Sequence, residues 1–295
     1  MCNMGQMWEV VYHYTSLDAF FNIIKTKKFR LCDITKSNDP LEGIYTLQTL
    51  EEAYQRLYRH KKINKNEWLL AHRVFFNFKE NLFKEGHPKD FNGATSFCIP
   101  THELMMLRSY ADNGKGVALG VPINVLEKLA KNNPQLEFRK MEYLAKNEIV
   151  QYADDFWIKN IRKFEKDMVD IDEKTLLPFI DEINKCYYDS YFFKDKINAD
   201  EEEYRLLFHD KSLFEPCIPC MEKVVSPDIG FDVNNGDLRA YYEIEIGDGE
   251  KASFYFNDII IGPQCKATVG EVQAFLYRYD IRECSIQKNS WIRMR

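Results

Sequence analysis

The sequence has no feature that would place it in a membrane or send it out of the cell. No apolar run among its 295 residues approaches the ~20 residues that a helix needs to cross a bilayer. Its N-terminal residues do not show a charged stretch followed by an apolar one, so no secretory signal is predicted. We therefore expect a cytoplasmic protein with no membrane partner.

The sequence also lacks a cysteine framework. Its eight cysteines follow no regular spacing, and the expectation is reduced thiols rather than disulfides. Cys217 and Cys220 form a lone C-x-x-C pair, with no second pair at zinc-like spacing. Because a structural zinc site takes about four ligands, we interpret the pair as two unrelated thiols and predict no bound metal.

A strong positive charge is missing as well. The formal net charge is −6, with 45% hydrophobic and 29% charged residues, which is ordinary for a globular protein. This balance argues against a protein that binds nucleic acid over its whole surface, but it does not exclude a local basic patch. The length suits one large domain or one domain with an insert, and we predict a single domain over residues 1–295.

The first informative stretch is an apolar run that carries a histidine between two tyrosines. Val10, Val11, Tyr12 and Tyr14 favour a strand, and Thr15 and Ser16 follow it. Apolar residues at 17, 20, 21 and 24 have helical spacing, so Ser16 is a predicted N-cap. His13 then lies at the end of a strand beside a helix N-terminus. There it either meets a ligand or is half buried under the helix.

A second stretch, 93–121, alternates strand and turn signals. A β-favouring run ends at Pro100, a short helical segment follows, and the tight turn at 113–116 leads into a strand at 117–121. Ser96 and Tyr110 each lie where a β-favouring run meets a loop or a helix. We therefore expect both side chains to line a cleft together with His13.

A third stretch concentrates charge around residues 201–205. If it is a strand, Glu201, Glu203 and Arg205 share one face, because side chains in a strand alternate with period two. Two carboxylates and a guanidinium on one face make either a salt-bridged edge or an acidic site tuned by a cation. A solvated acidic surface is the third interpretation.

The remaining patterns predict the fold class. Residues 47–83 have the spacing of two helices, and 154–193 predict a helical hairpin broken near Pro178 and inserted over the sheet. Residues 240–256 predict a β-hairpin, and 259–261 a buried strand. The prediction is an α+β fold: a mixed, mainly antiparallel sheet with surrounding helices and a helical insertion at about 154–193.

Several of these motifs resemble a bacterial family called domain of unknown function 2971. The resemblance lies in Tyr12-His13-Tyr14-Thr15-Ser16, Ser37–Glu42, 93–121, Glu201–Arg205 and Ile259–Pro263, so it extends over nearly the whole chain. One departure is Leu107, where family members usually have tryptophan. The opening of this family is in turn similar to the first motif of ADP-ribosyltransferase-like folds, which implies such a fold here.

The resemblance also implies an activity: an NAD-dependent ADP-ribosyltransferase-like enzyme that uses NAD as substrate and needs no metal. By analogy, such enzymes in bacteria serve as toxins or phage-defence effectors. The acceptor is a protein or a nucleic acid that the sequence does not identify. The alternatives are a non-catalytic module that binds a nucleotide or a nucleic acid, and an NAD glycohydrolase.

The same resemblance assigns roles to residues. It implies that His13 and Thr15 hold the ribose, while a glutamate stabilises the oxocarbenium-like transition state. Glu203 is the first choice for that glutamate, because Arg205 beside it favours the ionised carboxylate, and Glu201 is the second. The other expected contacts are an apolar slot for nicotinamide, made by Tyr14, Phe97 and Tyr110, and two cations for the diphosphate, Arg108 and Lys115.

Overall fold

The structure, a computed structural model, describes residues 9–36, 44–84, 87–88, 91–164, 173–209, 229–234, 236–245 and 256–289. The Ser37–Glu42 motif, Cys217, Cys220 and most of the predicted second hairpin arm lie outside these residues. Within them the chain is α+β, with a mixed and mostly antiparallel sheet, as predicted. None of the helices in this part of the chain is long and apolar enough to cross a membrane.

The strands contribute to one large sheet and two small two-stranded sheets. They are β1 (Val10–Thr15), β2 (Lys28–Asp33), β3 (Phe83–Lys84), β4 (His87–Pro88), β5 (Asn92–Cys98), β6 (Val117–Pro122), β7 (Leu136–Lys140), β8 (Glu142–Leu144), β9 (Phe193–Asp195), β10 (Glu203–His209), β11 (Ile229–Asn234), β12 (Asp237–Glu245), β13 (Asp258–Ile261) and β14 (Ser285–Lys288).

The helices surround the large sheet or pack against one another beside it. They are α1 (Leu17–Thr26), α2 (Ile44–Arg59), α3 (Lys65–Leu82), α4 (Glu103–Tyr110), α5 (Ile123–Asn132), α6 (Lys146–Phe164), α7 (Glu173–Asp189) and α8 (Val269–Arg278). A six-residue 3₁₀ helix, Lys196–Glu201, leads into β10.

The large sheet runs in the order β11-β12-β2-β5-β1-β6-β13-β14, and β10 and β7 branch from β5. All neighbours are antiparallel except β13 and β14. One edge of β5 pairs with β10 along its whole length. Its other edge is shared, because β2 pairs at Gly93 and Ala94 whereas β1 pairs only at Cys98.

That shared edge leaves a gap in the sheet. Residues 95–97 have no strand partner on this side among the described residues, since β1 and β2 diverge from each other there. Gly116 helps to place the end of β1, because a Cβ on it would lie 2.0 Å from the carbonyl oxygen of Thr15. The turn before β6 therefore packs against β1 only with glycine at this position.

Two larger cores lie on different parts of the molecule. One is built on a face of the sheet by α1, α5, α8 and the strands, with Phe29, Phe97 and Leu119 at its centre. The other joins α2 and α3 to α6 and α7 around Trp157, which is completely buried and donates to the carbonyl of Leu50. A smaller core, around Tyr12, Tyr14 and Leu107, covers the opposite face of the sheet under α4.

The helical hairpin differs from its prediction in two respects. Its first helix begins at Lys146 rather than about 154, where Glu148 accepts a hydrogen bond from the backbone of Ala145. Its second helix continues through Pro178 instead of breaking there. A proline removes one backbone donor from a helix, and the buried side chains of Leu176, Phe179 and Ile183 hold α7 against α3 and α6 despite that loss.

The charged third stretch also begins differently. The strand starts at Glu203, not Glu201, because Glu202 adopts a left-handed conformation with φ 43° and ends the preceding 3₁₀ helix. In addition, β10 does not lie directly beside β1. β5 lies between them, with β10 on one edge and the end of β1 on the other.

Candidate functional site

A cavity of about 870 Å³ opens at the gap in the sheet, and we call it the cleft. This volume falls within the ~300–1,000 Å³ usual for small-molecule sites. Residues of α1 line it on one face of the sheet and residues of α4 on the other. The cleft therefore extends past both faces, which explains how side chains that alternate along β1 and β5 all reach it.

His13 lies at the narrowest part of the gap. Its Nδ1 is 3.0 Å from the carbonyl oxygen of Ser96, so the ring replaces the strand pairing that β1 and β5 lose here. The ring packs edge-on against Phe29, with ring centroids 5.2 Å apart, and also contacts Phe97. Desolvation of the ring lowers the pKa of His13, although the bond to Ser96 acts in the opposite direction. The imidazole is accordingly neutral at neutral pH.

Four charged residues lie deeper in the cleft, and we call them the inner cluster: Lys194, Glu201, Glu203 and Arg205. Lys194 Nζ donates to Glu201 at 2.6 Å and to Glu203 at 3.1 Å, so one ammonium bridges both carboxylates. Arg205 donates to Oε1 of Glu203 from two nitrogens, at 3.1 and 2.9 Å. The side chains are only 2–11% exposed, which makes each charge dependent on its partners.

Hydroxyl groups complete the inner cluster. Ser96 donates to Glu203 at 2.5 Å, and Tyr110 donates to Glu201 at 2.6 Å. The backbone also fixes the position of Glu203, whose amide donates to the hydroxyl of Tyr143 at 2.8 Å. The two carboxylates thus have separate hydroxyl donors but share one ammonium.

Burial and charge compete for the pKa of these groups. Burial alone would raise the pKa of Glu203, but Arg205 and Lys194 outweigh it and lower the pKa to about 2. Burial would likewise lower the pKa of Lys194, and the two glutamates instead raise it above its ordinary value. Both groups are therefore charged across the physiological range.

A second charged group lies at the cleft's outer side, on β2, β11 and β12, and we call it the rim cluster: Lys28, Arg30, Asp232, Arg239 and Glu243. Arg30 pairs with Asp232 and with Glu243, each at 3.2 Å, and stacks on the ring of Tyr241 at 4.0 Å. Arg239 pairs with Asp232 at 3.0 Å. Side-chain exposures of 23–41% distinguish these residues from the inner cluster.

The structure brings most of the predicted site residues together. Those that line the cleft are His13, Tyr14, Thr15, Ser96, Tyr110, Glu201 and Glu203. They come from four separate stretches of the chain, and the expected neighbourhood of His13, Ser96 and Tyr110 is found. No observation here tests their predicted roles, which stay predictions.

Three predicted residues lie elsewhere. Arg108 and Lys115 are exposed and do not line the cleft, because α4 and the turn after it direct them outward. Phe97 is completely buried behind His13. It also lies on the opposite face of the sheet from Tyr14, so the two do not form one apolar slot. The tertiary positions thus separate residues that the linear pattern grouped.

Sequence reasoning missed Lys194 and the rim cluster. Lys194 stands in a charged segment with no pattern of its own, and only the pairing of β8 with β9 brings it to the two glutamates. Arg30 lies on β2 and Arg239 on β12, and neither has a sequence signal beyond the alternation of side chains in a strand. A strand signal predicts that such residues share a face, but not that the face borders a cleft.

No group of histidine, cysteine, aspartate and glutamate side chains suited to a metal ion occurs within the described part of the chain. The cysteines described there, Cys32, Cys98, Cys186, Cys265 and Cys284, are free thiols. The predicted absence of zinc at Cys217 and Cys220 falls on residues outside the description.

The fold and the cleft define an α+β protein with a cavity, lined by charged side chains, at a gap in its sheet. Residues 106–206 match the family model described as "Protein of unknown function (DUF2971)", which confirms the predicted family over this stretch. The match includes residues 106–110 of α4 and the inner cluster but not β1, β2 or the C-terminal strands. No curated protein and no solved structure matches the sequence.

Proposed function

We propose that this protein is an NAD-dependent ADP-ribosyltransferase-like enzyme, with an ADP-ribosyltransferase-like fold. The observation that carries the proposal is the convergence of His13, Ser96, Tyr110 and an ionised, buried Glu203 on one cleft of suitable size. The sequence pattern predicted a cleft lined by His13, Ser96 and Tyr110, and the family resemblance implied Glu203 as the carboxylate. The acceptor, a protein or a nucleic acid, is not specified by these residues.

The reaction breaks the bond between nicotinamide and ribose. Nicotinamide leaves with the electron pair of that bond, positive charge develops on the ribose, and an acceptor nucleophile then forms the new bond and loses its proton. A fixed carboxylate stabilises this developing charge in a water-poor site. Glu203 has the required charge and rigidity, and Glu201 supplies a second carboxylate that is more exposed, at 11% against 2%.

His13 suits the recognition of a ribose hydroxyl. The Ser96 carbonyl is only an acceptor, so the hydrogen of the neutral ring is on Nδ1 and Nε2 is left as an acceptor. A lowered pKa keeps the ring in this form at neutral pH. Thr15, on the same strand and also at the cleft, adds a hydroxyl on the same face of the sheet.

In this proposal the cations of the rim cluster bind the diphosphate of NAD, the role that the resemblance implied for Arg108 and Lys115. Arg30, Arg239 and Lys28 line the cleft and are partly exposed, so a diphosphate can exchange with their present carboxylate partners. Guanidinium groups suit this task, because two parallel donors match two phosphate oxygens.

One observation favours a second candidate, a nucleotide-binding protein without catalysis. Both carboxylate oxygens of Glu203 already accept hydrogen bonds, from Ser96 and Arg205 on one side and Lys194 on the other. A fully paired carboxylate is also what a purely structural ion pair presents. Activity measurements on glutamate variants separate the two candidates.

The decisive experiment is to incubate the protein with NAD and measure nicotinamide release, with and without cell lysate as a source of acceptor. Glu203→Gln keeps the shape of the side chain but removes its charge. The expected result is a loss of about 10²–10³-fold in turnover with little change in NAD affinity, since the charge develops mainly in the transition state. Glu201→Gln is measured in parallel.

Glu202→Gln is the matched control. This residue lies between the two glutamates in sequence, but its carboxylate accepts from Thr101 at 2.5 Å and does not line the cleft. Circular dichroism establishes that every variant is folded. NAD binding without nicotinamide release by the wild type, under all acceptor conditions, would establish the non-catalytic candidate instead. Release that does not depend on lysate would indicate an NAD glycohydrolase.

A further inference from the structure

A basic corner lies where α2 turns into α3. We call it the α2–α3 corner: Tyr58, Arg59, His60, Lys61, Lys62 and Lys65. All six side chains are exposed, and four of the residues line a groove of about 670 Å³. The cleft and this groove share no lining residue among the described residues. The corner is therefore a separate surface from the cleft.

Two of these lysines occupy positions that local structure disfavours, Lys61 through its backbone conformation and Lys65 through its charge. Lys61 N–H donates to the Tyr58 carbonyl and Lys62 N–H to the Leu57 carbonyl, which is the Schellman pattern of a helix end. Lys61 takes the left-handed position in that motif, with φ 56°, where glycine is strongly favoured. Lys65 is the first residue of α3, and a cation is unfavourable at a helix N-terminus.

The cations of the corner also lack internal partners. Among the described residues, no ion pair involves Arg59, Lys61, Lys62 or Lys65. The nearest acidic side chain in the groove, Glu67, accepts from the backbone of Asn64 at the start of α3. In a protein with a net charge of −6, these four exposed cations have no ion pair among the described residues, and two of them occupy unfavourable positions, which favours an anionic partner.

Aromatic side chains beside the cations narrow the class of that partner. Tyr58 is 40% exposed and packs on Trp68 with ring centroids 5.5 Å apart. Trp68 in turn stacks on His72 at 5.4 Å with nearly parallel rings. Exposed aromatic rings next to a basic groove are the combination that binds single strands, since bases stack on the rings while phosphates meet the cations.

We propose that the α2–α3 corner binds single-stranded nucleic acid through phosphate contacts from Arg59, Lys61 and Lys62 and base stacking on Tyr58. Neither phosphate contacts nor stacking on an aromatic ring distinguishes one base from another, so the interaction is expected to be independent of base sequence. It is also independent of the chemistry proposed for the cleft.

The test is fluorescence anisotropy with a labelled single-stranded oligonucleotide of about 12 nucleotides, over a salt series from about 50 to 200 mM. The wild type is expected to bind with a clear salt dependence. The double variant Lys61→Gly with Lys62→Gln should flatten the slope of log K against log salt by about 1.4, which is two single-strand phosphate contacts. Tyr58→Ala should weaken binding by about 10-fold through the loss of stacking.

Lys61→Gly also separates binding from folding. Glycine removes the charge and relieves the left-handed backbone strain, so binding should weaken while the thermal midpoint stays the same or rises. The matched control is Lys128→Gln with Lys131→Gln, which removes the same charge from the exposed side of α5. The proposal would be overturned if the wild type did not bind the oligonucleotide at the lowest salt concentration, or if the control variant lost as much affinity as the Lys61/Lys62 variant. Tighter binding of poly-aspartate than of the oligonucleotide would also overturn it.

Discussion

The inner cluster and the rim cluster use the same chemistry in different surroundings. Both are alternating chains of carboxylates and cations that line one cleft. Glu203 and Arg205 are 2% and 4% exposed, whereas Arg30 and Glu243 are 41% and 28% exposed. A buried charge has no water to replace a lost partner, so the inner cluster holds a fixed geometry. At the rim, water or a ligand replaces a partner at little cost.

The largest difference between the two clusters is expected in the free energy of unfolding, when one carboxylate is removed from each. Glu203→Ala removes a carboxylate that accepts from both Lys194 and Arg205, and little water is available to replace it in this buried site. The substitution should lower the free energy of unfolding by about 3–5 kcal/mol. Glu243→Ala at the rim should lower it by less than about 1 kcal/mol. Urea unfolding followed by circular dichroism measures both values.

Similar losses for the two variants would contradict this contrast. They would mean that water reaches Glu203 as readily as Glu243, and that the inner cluster is not rigid.

Lowering the pH should reduce the stability of the folded protein as Glu203 of the inner cluster becomes protonated. Its pKa is about 2 in the folded protein, against 4.5 for an ordinary glutamate. The carboxylate's contribution is therefore fully present above about pH 4.5 and is lost as the pH falls towards 2. The expected loss is roughly 3 kcal/mol between pH 5 and pH 2, obtained by urea unfolding of the wild type across that range.

Glu203→Ala provides the reference, because other carboxyl groups also titrate in this range. The difference in stability between wild type and variant should shrink as the pH falls. A difference that stays constant from pH 5 to pH 2 would show that the Glu203 pKa is not depressed.

The smallest effect on stability is expected from a substitution at the rim. Because such a variant stays folded, its kinetics can separate substrate binding from the chemical step. Arg30→Gln should change the free energy of unfolding by no more than about 1 kcal/mol. If the rim binds the diphosphate, the variant should raise KM for NAD several-fold with kcat nearly unchanged, because the diphosphate contact is the same in ground and transition states. Steady-state kinetics of NAD consumption gives both parameters.

Lys79→Gln is the control, since it breaks another exposed ion pair, with Glu51, on α3 and away from the cleft. An equal fall in kcat and kcat/KM for Arg30→Gln would instead place Arg30 with the transition-state contacts.

Local signals in the sequence predicted the frame of the cleft well. Ser16 caps α1 by accepting from the amide of Ala19 at 3.2 Å. The tight turn after α4 is present, with Asn113 and Gly114 at positive φ. These features depend on residues that are close in sequence, and a single sequence contains that information.

The composition of the site was predicted less completely. Glu203 and Arg205 do share a face of a strand, as the period of two requires. Their bridging cation Lys194 was not predicted, although it is only nine residues from Glu203. It lies in a separate two-stranded sheet, in which β9 pairs with β8 rather than with β10. Strand pairing between distant segments has no local signature.

By itself the sequence determined which residues are able to carry charge, cap helices and alternate in strands, because these properties belong to a residue and its near neighbours. Only the tertiary structure decided which of those residues meet. The divergence of β1 and β2 from the shared edge of β5 opens the cleft, and it admits His13, Arg30 and Glu203 while it leaves Arg108 and Lys115 outside. Burial follows from that assembly, and burial is what makes Glu203 depend on its partners.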